Sequence, residues 1–162
     1  MTHSLPTRRS RARQSGIGMI EVLIAVLVVS IGFLGMAALQ AKALSTNNSA
    51  MARSMATIAS YSILDAMRAD IVNAKLGNYN GTVTASSCPS TDSTSTLATW
   101  QLSAWCGQLG QALGAVATTT GTVNCSSAGD CTVTIQFDDS RAGTVNTDVG
   151  SNAQKVITEA GL

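Results

Sequence analysis

The sequence predicts an α+β fold, in which one long N-terminal helix, apolar over its first half, packs on a small antiparallel β-sheet head stabilised by disulfides. Three observations carry this expectation. Val22 to Leu39 forms eighteen residues without a charge and with Ser30 as the one polar side chain, long enough to span a bilayer at about 1.5 Å per residue. No proline occurs between Ile17 and Leu76, so a helix can continue well beyond that stretch. Farther on, Cys131-Thr132-Val133-Thr134-Ile135-Gln136-Phe137 alternates apolar with polar residues, the period of a half-buried strand.

The 162 residues suit one domain of ordinary size. The six aromatics are Phe33, Tyr61, Tyr79, Trp100, Trp105 and Phe137, and Phe33 falls inside the apolar stretch. The remainder can therefore bury only a modest core and needs extra support. Cys88, Cys106, Cys125 and Cys131 supply it, all beyond the apolar stretch; an even count there points to disulfides in an oxidising compartment. Zinc is the competing reading, but no C-x-x-C pair occurs and the single histidine is His3.

Charge is distributed asymmetrically. Arg8, Arg9, Arg11 and Arg13 crowd the first sixteen residues, which hold no acid, whereas the chain from Ile17 onward has six Lys and Arg against nine Asp and Glu. A nucleic-acid-binding head would show the opposite bias, so no nucleic-acid partner is expected. A basic cluster directly before an apolar run sets the N-terminus in the cytoplasm and the bulk of the chain outside.

The helix expectation covers two segments, the apolar residues 17–39 and an amphipathic continuation over 40–76. Gly32 and Gly35 fall in the apolar half. Beyond Gln40, Leu44, Met51, Met55 and Ile58 lie on one side at 100° per residue, and Ile63, Leu64, Met67 and Ile71 on nearly the opposite side. Two stripes suit a continuous helix with partners on both sides. The competing reading is a break at the polar run Ser45–Ser49.

Gly77 and Asn78 to Gly81 mark a stop and turn, after which residues 77–162 form the head. Thr82 to Thr99 reads as a solvated loop, eleven of its eighteen residues being Ser or Thr, with Pro89 in the middle. Leu97 to Leu113 reads as a short helix closed by Gly114, with Trp100 and Trp105 as core. Thr122 to Cys125 is a partner strand for 131–137. The polar tail after Asp139 is expected to end as a short helix near Ser151–Ala160. Cys125 and Cys131 bracket the turn between the two strands, which suits a local bridge and would leave Cys88 with Cys106. Four cysteines allow three pairings, and spacing does not select one.

Glu21 is the one acid near the apolar run. Around it the residues read Gly16-Ile17-Gly18-Met19-Ile20-Glu21-Val22-Leu23-Ile24 after the arginine-rich leader. This closely resembles the class III leader of type IV pilins and pseudopilins. The resemblance implies that residues 1–16 are a leader removed by a prepilin peptidase after Gly16. The same enzyme would methylate the new N-terminal amine of Ile17, and Glu21 would be the acid at the fifth mature position that guides assembly. Gly18 and Ile17 depart from the commoner Thr or Ser and Phe. Tyr61 to Ala69 resembles the end of the long helix in minor pilins of the PilV type.

The resemblance implies a type IV pilin-like fold and a minor pilin that waits in the inner membrane, head in the periplasm of a Gram-negative cell, before entering a pilus. Its partners would be the prepilin peptidase, other minor and major pilins and a tip adhesin, in the service of adhesion or twitching motility. The nearest alternative is a minor pseudopilin of type II secretion; another is a signal-anchored periplasmic binding domain. No enzyme is expected. No histidine outside the leader could serve a nucleophile, and no phosphate loop or H-E-x-x-H is present. No cofactor or metal site is expected either: Asp138 and Asp139, with Asp130 nearby, read as exposed acids of a loop rather than as a calcium site.

Overall fold

A computed structural model describes residues 16, 18–140 and 150–162. Helix α1 runs Met19–Ala69 without a break, so the Ser45–Ser49 run does not interrupt it. The chain divides after Gln40 into two units. In the first, residues 19–40 are one helical segment.

In the second unit, α1 buries Ala56, Ala59, Ser60, Ile63, Leu64 and Met67. These positions repeat at three- and four-residue intervals, so one face of the helix carries the core. The stripe of Ile63, Leu64 and Met67 is thus the inward one, and its fourth member Ile71 sits at the edge, 38% exposed. Leu44, Met51 and Ile58 are exposed as expected for the opposite side, while Met55 is half-buried. α1 ends at Ala69, and a single turn, α2 (Ile71–Lys75), follows. Gly77, at φ +78°, closes it: its N–H donates to Ala74 O and that of Asn78 to Asn73 O, both 3.0 Å. This is the paired-bond stop that favours glycine just past a helix end.

The sheet has four antiparallel strands in the order β1 (Gly81–Thr84), β2 (Thr120–Cys125), β3 (Asp130–Phe137) and β4 (Gln154–Gly161). The expected hairpin is β2–β3. Two further strands correct the sequence reading. β1 occupies the start of what reads as a Ser/Thr loop, pairing Gly81 to Thr84 with Val123 to Thr120; its rungs are extended by the Asn80 side chain, which donates to Cys125 O (3.0 Å) and accepts from Cys125 N–H (2.7 Å). β4 replaces the short helix expected near Ser151–Ala160. Eight cross-strand pairs with β3 outweigh the helix propensity of Gln, Lys, Glu and Ala there.

Helix α3 spans Leu97–Leu113 and is closed by Gly114, as the sequence indicates. Thr96 caps it, its hydroxyl accepting from Thr99 N–H at 3.3 Å. Val123, Cys131, Val133, Ile135 and Phe137 of the sheet form one core with the inward face of α1 and with Trp105, Cys106 and Leu109 of α3. Trp105 Nε1 donates to Ala59 O at 2.9 Å, which joins α3 to α1 and satisfies the indole. Trp100, expected in the core, is half exposed instead: it lies outside the Ala98–Trp105–Leu109 face that α3 buries. Tight packing explains Gly121, where a Cβ would lie 2.4 Å from Trp105 Cη2.

Candidate assembly surface and its anchoring in the head

The expected site residues fall into two groups. Gly16 is exposed. The remaining leader positions and Ile17, with the cleavage and methylation expected there, lie outside the described residues. Gly18 O accepts from the N–H groups of Glu21 (2.9 Å) and Val22 (3.4 Å), starting the helix. Glu21 is exposed in its first turn, where a carboxylate meets the positive end of the helix dipole. Every large apolar side chain from Met19 to Leu39 is more than half exposed. The most apolar eighteen-residue window has a mean hydropathy of 2.8 and none of it is buried; Ser30 turns its hydroxyl back to Val26 O at 2.7 Å. This segment is long and apolar enough to cross a membrane, and a continuous apolar surface of that extent requires a lipid or protein partner.

The second group is covalent. Cys88 pairs with Cys106 and Cys125 with Cys131, with Cα–Cα distances of 5.6 and 4.0 Å. The first bridge fastens the Ser/Thr-rich loop to α3, and the second spans the β2–β3 turn. In the chain-entropy picture the longer loop contributes about 3 kcal/mol and the shorter about 2 kcal/mol. That loop has its own order. Asp92 Oδ1 accepts from Thr94 N–H (2.9 Å), Thr94 Oγ1 (2.7 Å) and Ser95 Oγ (3.1 Å), and these bonds, those from Thr94 first, hold its carboxyl below the usual range.

Two polar anchors escaped the sequence reading. Asp139, expected to be exposed, is buried. Its Oδ2 accepts from Ser49 Oγ at 2.5 Å and from Gly150 N–H at 3.3 Å, so the polar Ser45–Ser49 run supplies a link from α1 to the end of β3. The residue pair is ninety positions apart, and no local pattern signals it. Tyr79 is fully buried; its hydroxyl donates to Asp70 Oδ2 at 3.1 Å and meets the Gln101 side chain. Asp70 also accepts from Asn73 Nδ2 at 2.8 Å. Burial first, then the hydrogen bond and charge of Asp70, push the Tyr79 phenol above its ordinary value.

Among the described residues, no three His, Cys, Asp or Glu side chains converge in a way that could hold a metal ion. Comparison with protein-family models, curated proteins and solved structures finds no match for the chain.

Proposed function

We propose that the chain is a minor pilin of a type IV pilus. The observation that carries the reading is the run from Met19 to Leu39, a helix with one acid in its first turn and large apolar side chains exposed from end to end. It is supported by the basic leader sequence and by a disulfide-bonded head suited to the periplasm. In this reading the prepilin peptidase cuts after Gly16 and methylates the Ile17 amine. The apolar helix holds the subunit in the inner membrane and then moves into the filament, where water is excluded. There a carboxylate is costly unless paired, so the amine of a neighbouring pilin pairs with Glu21 and sets the axial register. The exposed stripe Leu44, Met51 and Ile58 extends the contact with other pilins. A subunit of this kind aids initiation of the filament, with other minor pilins and a tip adhesin beside it.

The test is the N-terminal mass of the protein from membranes of cells with and without prepilin peptidase. A methylated Ile17 terminus that disappears in the deficient strain is expected; an intact leader, or cleavage beyond Ala37 in both strains, would overturn the reading. Glu21→Ala should still be processed at Gly16 but enter pili poorly. Incorporation of the unaltered protein into secretion pseudopili rather than pili would move the assignment to type II secretion.

A further inference from the structure

We infer that β4 is a self-pairing edge, through which two copies of this chain join their sheets. β4 is the last strand of the sheet among the described residues, eight residues long, and paired only with β3. Its open side can be read from the ladder. Leu162 N–H donates to Gly129 O at 2.9 Å, one rung past the β3–β4 register, while Ser126 N–H donates to Asp130 O at 2.8 Å on the β2 side. Bonded rungs alternate in an antiparallel pair. Counting back in twos, Gln154, Val156, Thr158 and Ala160 therefore turn their N–H and C=O toward β3. Lys155, Ile157 and Glu159 turn theirs to the open edge.

The side chains of these three residues share the outer face of the sheet, and all three are exposed, Ile157 at 61%. Natural edges are blunted by proline, bulges, inward charges or exposed charges such as lysine; β4 has no proline, bulge or inward charge within its register, and its exposed Lys155 is accompanied by the opposite charge of Glu159. Its charges are arranged differently. In an antiparallel pair of two β4 strands centred on Ile157, Lys155 faces Glu159 of the second copy, Glu159 faces Lys155, and Ile157 faces Ile157. No other register that pairs β4 with itself sets Lys155 against Glu159. A two-fold axis requires such self-complementarity, and opposite charges directly across a ladder are favourable where like charges are not. On the inner face the same register sets Val156 against Thr158 and Gln154 against Ala160, with no charge. The occupant that fits this edge is a second copy, in that one register. The inference goes beyond the pilus reading and does not depend on it.

The test is disulfide trapping of the full chain, in detergent and in native membranes, under mild oxidation. Ile157→Cys should give a cross-linked homodimer, whereas Thr158→Cys, on the inner face and opposite residue 156, should not. In the Ile157→Cys background, Lys155→Glu should lower the dimer yield roughly tenfold by placing like charges at two symmetric sites. Adding Glu159→Lys should restore it. Labelling of one free thiol per chain checks that each variant keeps its two native disulfides. The inference falls if Ile157→Cys cross-links no better than Thr158→Cys, or if it cross-links to a different protein. It falls equally if the yield ignores the single reversal or the double reversal fails to recover it.

Discussion

Residues 19–40 and residues 41–69 belong to one helix, yet they use apolar side chains in opposite ways. In the first stretch apolar residues occupy every face and all the large ones are more than half exposed. In the second a single face is buried, and the chain itself provides the covering, from the sheet and α3. The difference teaches where each stretch finds its stabilisation. The second stretch is held by intramolecular packing, and the first has its apolar surface available to a partner outside the chain. The same substitution should therefore read out in different assays on the two sides of Gln40.

Leucine truncation gives the largest contrast. Leu64 is fully buried and Leu27 is 59% exposed. Leu64→Ala should destabilise the head by about 3 kcal/mol, from lost transfer energy and the cavity left behind, and lower its Tm by roughly 10 °C. Leu27→Ala should leave the Tm unchanged in detergent. Calorimetry on both variants decides the matter, and equal shifts would mean that the first stretch also packs on the head.

Glycine gives a smaller effect of the same kind. A methyl at Gly121 meets Trp105 and Leu109 within 2.7 Å, whereas at Gly35 it meets nothing within 4 Å. Gly121→Ala should cost about 1–3 kcal/mol through overpacking, visible as an earlier urea midpoint. Gly35→Ala should leave that midpoint in place. A neutral Gly121→Ala would show that α3 can shift away from β2.

What was legible in the sequence follows the same division. Hydrophobic period and punctuation locate α1, α3 and the β2–β3 hairpin, because each is specified locally: by Ile63, Leu64 and Met67 at helical spacing, by Gly114 as a stop, and by the alternation of Val133, Ile135 and Phe137. β4 was misread because Val156 and Ile157 are adjacent. One faces the core and the other the open surface, which hides the two-residue period. Its strand state comes from pairing with β3 and is not local. β1 was missed because four residues, Gly81 to Thr84, are too short to show a period among so many threonines. Asp139 reads as an exposed loop acid and Ser49 as part of a polar run that could break the helix; the two bond to each other, so their burial appears only once the chain has folded. At the candidate site, the apolar run is legible from composition and Glu21 from its place beside it, Gly16 is marked by the resemblance of the leader motif, and the polar links that tie α1 to the head carry no local signal.

The smallest expected effect lies at one of those links and depends on pH. Tyr79 ties the end of α1 to α3 through Asp70 and Gln101. Its phenol is raised above the ordinary value of 10.0 by burial and by Asp70. The unfolded phenol loses its proton near that value, while the folded one keeps it to higher pH. Above pH 10 the unfolded state therefore binds fewer protons than the folded state, and stability falls as pH rises. Below pH 10 the contribution is fully present. Tyr79→Phe removes the hydroxyl, which should cost about 1 kcal/mol at neutral pH, and it should also flatten the alkaline decline. Urea midpoints of the two proteins between pH 8 and pH 11 test this. Curves that stay parallel throughout would mean that the alkaline loss arises elsewhere and that the Tyr79 phenol titrates alike in the folded and unfolded protein.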